Sequence, residues 1–303
     1  MTGASELESV LRYHERTKHH FNRFAPGPGR LDWANQPDPF RRFEGAPLAR
    51  LPLLAPDDEP RPPAYDSLYA PGAVASVPVD LRALSRLLEY SLALSAWKQA
   101  GDTRWALRMN PSSGNLHPTE GYVLVAGIPE LGALPGLFHY APRKHGLERR
   151  ADCPQVLCER LMSGFPPQTF LVGLSSVYWR EAWKYGERAF RYCQHDAGHA
   201  IGALRIAAAT LGWSARVLDV VADSTIDALL GLDREADFDG AERECAELLM
   251  AVGPGSLVKN TVEVEAVREL KAQRWYGSAN RLSPDDPIAY DAIDRVAAAS
   301  RKP

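Results

Sequence analysis

This sequence predicts an α+β fold in which a central sheet packs between helices. Short, continuous apolar runs read as strands buried on both faces, and one long Ala-rich segment carries apolar residues at helical spacing. The two kinds of segment interleave irregularly between residues 80 and 255, which leaves α+β and mixed α/β both open from pattern alone. The chain divides into an N-terminal helix with a proline-rich arm (1–79), a main domain (80–255) and a C-terminal extension or connection (256–303).

The chain has 303 residues, of which 35 are Lys or Arg and 38 Asp or Glu, for a net charge of −3. With 45% hydrophobic residues there is ample chain to bury a core. The balanced charge offers no basic field, so neither nucleic acid nor an anionic membrane surface is an expected partner. Cys153, Cys158, Cys193 and Cys245 have no CxxC spacing and read as reduced thiols. No apolar stretch reaches about 18 residues and the N-terminus lacks a leader pattern, which predicts a cytoplasmic protein.

Residues 4–20 read as a polar helix with Leu7, Val10, Leu11 and His14 on one side. Between Pro26 and Pro78 lie 12 of the 24 prolines. Each proline fixes φ and removes a donor, so this stretch is neither long helix nor central strand. Its aromatics, Trp33, Phe40, Phe43, Tyr65 and Tyr69, predict an arm packed on the body. Asp80 is placed to cap a helix running to about Gln99 through Leu84, Leu87, Leu88, Leu92 and Leu94, followed by a polar loop from Gly101 to Asn110. Tyr122–Ala126, Gly136–Tyr140 and Phe170–Leu174 read as strands. Residues 187–211 carry the stripe Ala197, Ile201, Leu204, Ala208 and Leu211 and predict the central core helix, stopping at Gly212. Strand-like Ala215–Val220, a short helix from Ser224, the apolar run Leu248–Val252 and a helical segment Ile288–Ala299 complete the order.

Two segments concentrate groups able to do chemistry. The first, Arg108-Met-Asn-Pro-Ser-Ser-Gly-Asn-Leu-His-Pro-Thr-Glu120, offers turn formers, amides and hydroxyls at a sheet edge. These suit the rim of a planar heterocycle, with Arg108 a candidate for a phosphate, and equally an ordinary loop with turn chemistry. The second runs from Tyr178 to His199 and mixes Arg180, Lys184, Arg188 and Arg191 with Trp179, Trp183, Tyr185 and Tyr192. Lys184 and Tyr185 are neighbours about 100° apart on a regular helix, so they share one site only if the backbone is irregular there, as Gly186 permits. His195 and His199 lie one turn apart, but Asp196 replaces the glutamate of HExxH and no third ligand is evident, so no metal is expected. Nucleophile-elbow, P-loop and GxGxxG signatures are missing.

Pro111-Ser-Ser-Gly-Asn-Leu-His-Pro-Thr-Glu-Gly-Tyr122 resembles the flavin-binding segment of the nitroreductase superfamily in its SagB-type (ThcOx-like) form. Lys184-Tyr-Gly-Glu-Arg-Ala-Phe-Arg-Tyr192, Asp196-Ala-Gly-His199 and the Ala-rich helix to Gly212 are similar to the same group, in the same order. The resemblance implies a central mixed sheet between helices and FMN at the interface of a homodimer or of two tandem halves. Arg108 would then contact the phosphate or ribityl chain, and Pro111, Ser112, Ser113 and Asn115 would line the ring, with His117 beside them. Lys184 and Tyr185 match a pair implicated in catalysis in azoline-oxidising members. Lys259 is a weak candidate for a second phosphate contact.

The resemblance implies an FMN-dependent oxidoreductase that passes hydride through flavin. Its substrate is a peptide azoline or, with NAD(P)H as co-substrate, a nitro compound or quinone. A different class remains open, a catalytically silent nitroreductase-like partner. The C-terminal stretch resembles the connection between tandem halves, which predicts pairing with a second half or a second copy.

Overall fold

The computed structural model describes residues 3–55, 57–58, 61–70 and 72–303. Positions 1–2 of the N-terminal unit and 56, 59, 60 and 71 of the proline-rich arm lie outside the described residues. The chain opens with α1 (Gly3–Thr17), then β1 (Phe43–Glu44), β2 (Leu48–Arg50), α2 (Leu81–Ser91), β3 (Leu94–Ala100) and β4 (Thr103–Arg108). There follow β5 (Thr119–Val125), β6 (Gly136–Ala141), β7 (Gly146–Asp152), α3 (Gln155–Met162), β8 (Phe170–Ser176), α4 (Tyr178–Tyr185) and α5 (Ala189–Thr210). The order closes with β9 (Ser214–Val217), α6 (Asp223–Leu230), β10 (Cys245–Gly253), α7 (Val264–Lys271), β11 (Ser278–Ala279) and α8 (Asp291–Ala299).

Among the described residues the main sheet has seven strands in the order β2-β7-β6-β5-β8-β10-β9. Each of its pairings is antiparallel, so the α+β architecture is built on an antiparallel sheet. Side chains alternate across it. Val123, Val125, Val172, Leu174 and Met250 face α2 and α5, meeting Leu84, Leu88, Leu204 and Leu211. Tyr122, Leu124, Leu171, Leu249 and Ala251 face the other way, onto Leu157 and Leu161 of α3, Ile226 and Leu229 of α6 and Leu270 of α7. Burial on both faces is why these strands read as unbroken apolar runs; each fully buried Leu contributes roughly 1.5–3 kcal/mol.

Asp80 caps α2 as expected, accepting from Ala83 N at 2.7 Å. The helix ends at Ser91, though, and does not reach Gln99. Residues 94–100 turn back as β3 and pair with β4 around Gly101 in a two-stranded hairpin outside the main sheet. The Leu92 and Leu94 periodicity was shared by the end of a helix and the start of a strand, and the expected polar loop 101–110 is mostly β4.

The arm is packed over part of its length. Arg41 is fully buried and its Nε meets Glu244 at 3.0 Å. Phe43 is buried, β1 pairs with β11, and β2 extends the main sheet along β7. Trp33, Tyr65 and Tyr69 stay more than 60% exposed, although Trp33 touches Trp183 edge-on at 5.2 Å. On α1, Leu7 and Leu11 are exposed, and the helix docks through Tyr13, whose hydroxyl donates to Glu187 O at 2.6 Å. No helix among the described residues is long and apolar enough to cross a membrane.

Candidate functional site

The segment between β4 and β5 is an irregular loop held from below by α5. Asp196, buried on that helix, accepts from Ser112 Oγ at 2.7 Å, from Ser113 N at 3.0 Å and from Ser113 Oγ at 3.0 Å. Ser112 Oγ in turn accepts from His117 N at 2.8 Å. These contacts hold three positive-φ positions within four residues, Gly114 (φ 61°), Asn115 (φ 62°) and His117 (φ 52°), with Leu116 between the last two in the right-handed region. Two of them are not glycine, and such backbone persists where surrounding bonds over-determine it.

Asn115 Nδ2 donates to Ala106 O at 2.9 Å, so its Oδ1 is free to accept from His117 Nε2 at 2.8 Å. That fixes the His117 tautomer and leaves Nδ1 a buried lone pair without a partner. Burial, reinforced by the nearby Arg108 and Arg180 charges, pushes the imidazole down to about 2. His117 is a neutral ring. Its carbonyl accepts from Arg180 Nη1 at 2.7 Å, and Arg180 also pairs with Glu120 in the interior.

Arg108 ends β4 with its guanidinium buried. Nη1 donates to Thr119 O at 3.2 Å and Nη2 to Pro39 O at 2.5 Å, while Nε has no partner. Burial lowers its pKa to about 10. In this arrangement Arg108 ties the arm to the start of β5.

Lys184 and Tyr185 close α4 just where Gly186 (φ 56°, ψ −134°) breaks the chain away into α5. Both side chains press on the loop: a Cβ built on Gly114 would lie 2.6 Å from the Tyr185 hydroxyl and 2.9 Å from Lys184 Nζ. The irregular backbone expected from Gly186 is present, and two segments 70 residues apart meet at one glycine. The Tyr185 and Tyr192 rings lie 4.4 Å apart, with the Arg188 guanidinium 5.4 Å from the first and 5.6 Å from the second. Burial raises the Tyr185 pKa, so the hydroxyl keeps its proton.

Sequence reasoning gave no role to Asp196 or to Glu181. Glu181 is wholly buried and neither carboxylate oxygen has a partner. Burial, with Asp196 beside it, raises its pKa well above the usual range, so it is a neutral acid. Both acids lie in helix stretches that carry other polar residues, so no sequence signal marked them as buried. His195 and His199 are exposed on α5, and no group of three or more His, Cys, Asp or Glu among the described residues is arranged to hold a metal. Lys259 donates to Ser163 O, near the start of β8, whereas the loop leads into Thr119 opposite Ser176 at the other end of that strand. Lys259 therefore sits away from the loop.

On the buried side of this loop a flavin would find only Arg108 Nε free among these side-chain donors, because Ser112, Ser113, Asn115 and both Arg108 Nη groups are engaged. It fits the outer edge, where exposed Pro111, half-buried Lys184 and the Tyr185–Tyr192–Arg188 stack present rings and positive charge to an anionic planar group.

A solved structure from Anabaena variabilis, designated a nitroreductase, superposes with a TM-score of 0.59 at 23% identity, covering 89% of this chain and 55% of that one. The fold is that of a nitroreductase. A second solved structure so designated, from Ralstonia eutropha, has a TM-score of 0.49 and 17% identity over 77% of this chain and 98% of its own. In sequence, a protein of Methanocaldococcus jannaschii designated a nitroreductase is 26% identical over 183 residues, 59% of this chain and 82% of its own length. No family profile matches the chain. The chain spans about half of the Anabaena nitroreductase structure.

Proposed function

We propose that the chain is an FMN-dependent oxidoreductase whose site is the loop 111–117 closed by Lys184 and Tyr185. The observation that carries this is the contact of both side chains with Gly114, which joins the two segments resembling a flavoprotein. When bound, flavin supplies the hydride chemistry. Pro111, Ser112, Ser113, Asn115 and His117 shape the edge that meets the ring, chiefly through backbone held by Asp196. Lys184 Nζ takes or returns the substrate proton, and the Tyr185 hydroxyl, protonated through the neutral range, donates a hydrogen bond beside it.

The pair favours the SagB-type direction, oxidation of a peptide azoline, over reduction of a nitro compound or quinone by NAD(P)H. Coverage of about half of the Anabaena structure supports pairing, with a second copy or a second nitroreductase-like half, to complete the site. One observation favours the silent-partner reading instead: Arg108 and both serines are spent on internal bonds.

An absorption spectrum read across a size-exclusion peak decides between them. Flavin bands on a dimer-sized peak, with Lys184→Ala keeping the colour and losing most substrate oxidation, are expected. A peak that stays colourless after incubation with FMN supports the silent partner, and equal loss of colour and turnover in Lys184→Ala removes the base role.

A further inference from the structure

Asp196 holds the loop from one side of α5; Gln194, two residues earlier, points the opposite way. There it borders a separate cavity of about 390 Å³, walled by Tyr178, Asp223, Cys245, Glu247 and Lys302 among others. The β8–β10 register jumps between Ala246↔Ser175 and Leu248↔Leu174, so Glu247 is the extra residue of a β-bulge. Bulges re-aim a side chain out of the ladder, and here the residue turned aside is a carboxylate that lines a cavity. Its Oε2 accepts from Gln194 Nε2 at 2.7 Å, and the Ser176 hydroxyl of β8 faces the carboxylate, although no hydrogen bond of standard geometry reaches the buried Oε1.

We propose that this cavity binds a small molecule bearing a primary ammonium group, which Glu247 receives in the place held here by the Gln194 amide. The carboxylate has acceptor capacity that the protein leaves unused, and Gln194 is a neutral donor on an exposed side chain that can swing away. An ammonium brings a full charge and three N–H donors into a partly desolvated pocket, where a charge-assisted bond is worth more than an amide's. At the mouth Arg301 pairs with Asp227, and the Lys302 backbone N donates to Asp223 Oδ2 at 2.8 Å.

Burial pushes the Glu247 carboxyl up to about 7. The groups facing it are Ser176 from β8, Tyr178 from α4, Gln194 from α5, Asp223 from α6, Cys245 on its own strand, and Arg301 and Lys302 from the C-terminal segment. Tyr178 and Cys245 are both raised by burial and stay protonated. Ligand binding therefore requires Glu247 to ionise, and it strengthens as pH rises.

Isothermal titration with n-butylammonium chloride tests this. Saturable binding to the wild type is expected, tightening about tenfold from pH 6 to pH 8 as the ionised fraction grows. Glu247→Gln, which is isosteric and uncharged, should weaken it at least tenfold and remove the pH dependence, whereas Gln194→Ala should tighten it. Tetramethylammonium, charged but without an N–H, should bind far more weakly. No heat at millimolar n-butylammonium, equal binding by wild type and Glu247→Gln, or equal binding of tetramethylammonium would overturn the proposal. None of these outcomes depends on whether the chain holds flavin.

Discussion

The Tyr185 hydroxyl lies against Gly114 so closely that a Cβ there would come within 2.6 Å of it. Gly114→Ala meets two obstacles, this contact and a φ of 61°. Gly101, at the tip of the β3–β4 hairpin, has a φ of 55° and nothing within 4 Å of a built Cβ. Gly101→Ala should therefore cost only the backbone term, about 1 kcal/mol, and Gly114→Ala clearly more, by about 1–3 kcal/mol. Urea denaturation of the two variants measures the difference. Equal losses would mean that Tyr185 and Lys184 move aside freely, and that the loop and α4 are not locked together.

Asp196 is the acceptor on which both serines converge. Asp196→Asn keeps the shape but replaces one acceptor oxygen with a donor that faces other donors. The loss of stability should be at least about 1.5–3 kcal/mol, the worth of one hydrogen bond to a charged group. Ser113→Ala should lose less, because its backbone N–H still reaches Asp196. Hydrogen exchange at residues 112–117 checks the local origin: Asp196→Asn should speed exchange there, and unchanged protection would show that the left-handed turns stand without the clamp.

Much of this architecture was legible in the sequence because its signals are local. The stripe Ala197, Leu204, Ala208 and Leu211 is buried along α5, and Tyr122–Val125 and Phe170–Leu174 lie inside β5 and β8. What stayed hidden depends on distant partners. β7 reads Gly-Leu-Glu-Arg-Arg-Ala-Asp, a polar string, yet Glu148 and Arg150 are fully buried because Arg42, His139 and Asp237 answer their charges. In the site, the resemblance grouped Lys184–Tyr185 with the loop, and the structure brings both side chains against Gly114. The commitments of Arg108 to Pro39 O and of the serines to Asp196 are tertiary, and no spacing rule exposes them.

His139 sits between Glu120 Oε2 and Glu148 Oε2, each 3.0 Å away. Burial alone would lower its pKa, but the two carboxylates outweigh that and hold it up at about 9. A raised histidine stabilises the fold fully below its unfolded value near 6.5 and progressively less as pH climbs through 9. The wild type should thus lose up to about 3 kcal/mol between pH 6.5 and 9.5 from this group. His139→Gln should be less stable at pH 6.5 and show a flatter profile over that window. Parallel profiles for the two proteins would mean that His139 is neutral and that Arg180 and Arg42 alone answer the carboxylates.

Arg108 separates a structural role from a cofactor role. Its guanidinium bonds Pro39 O and Thr119 O, so Arg108→Ala leaves two carbonyls near the protein interior without donors, at a cost of about 1–3 kcal/mol each where water cannot reach them. The arm around residues 38–42 should loosen. Trypsin reports this at Arg42, which is partly exposed, while Arg41 is fully buried. Faster cleavage at Arg42 with flavin content unchanged is the expected result, since both guanidinium Nη groups in this arrangement are committed to carbonyls. If flavin is lost while the arm stays protected, Arg108 serves the phosphate and must turn from Pro39 when the cofactor binds. Loss of both together would show that the arm itself forms part of the flavin site, in which case Asp38→Ala, which removes the side-chain bond to Phe40 N and leaves Arg108 intact, should lower flavin content as well.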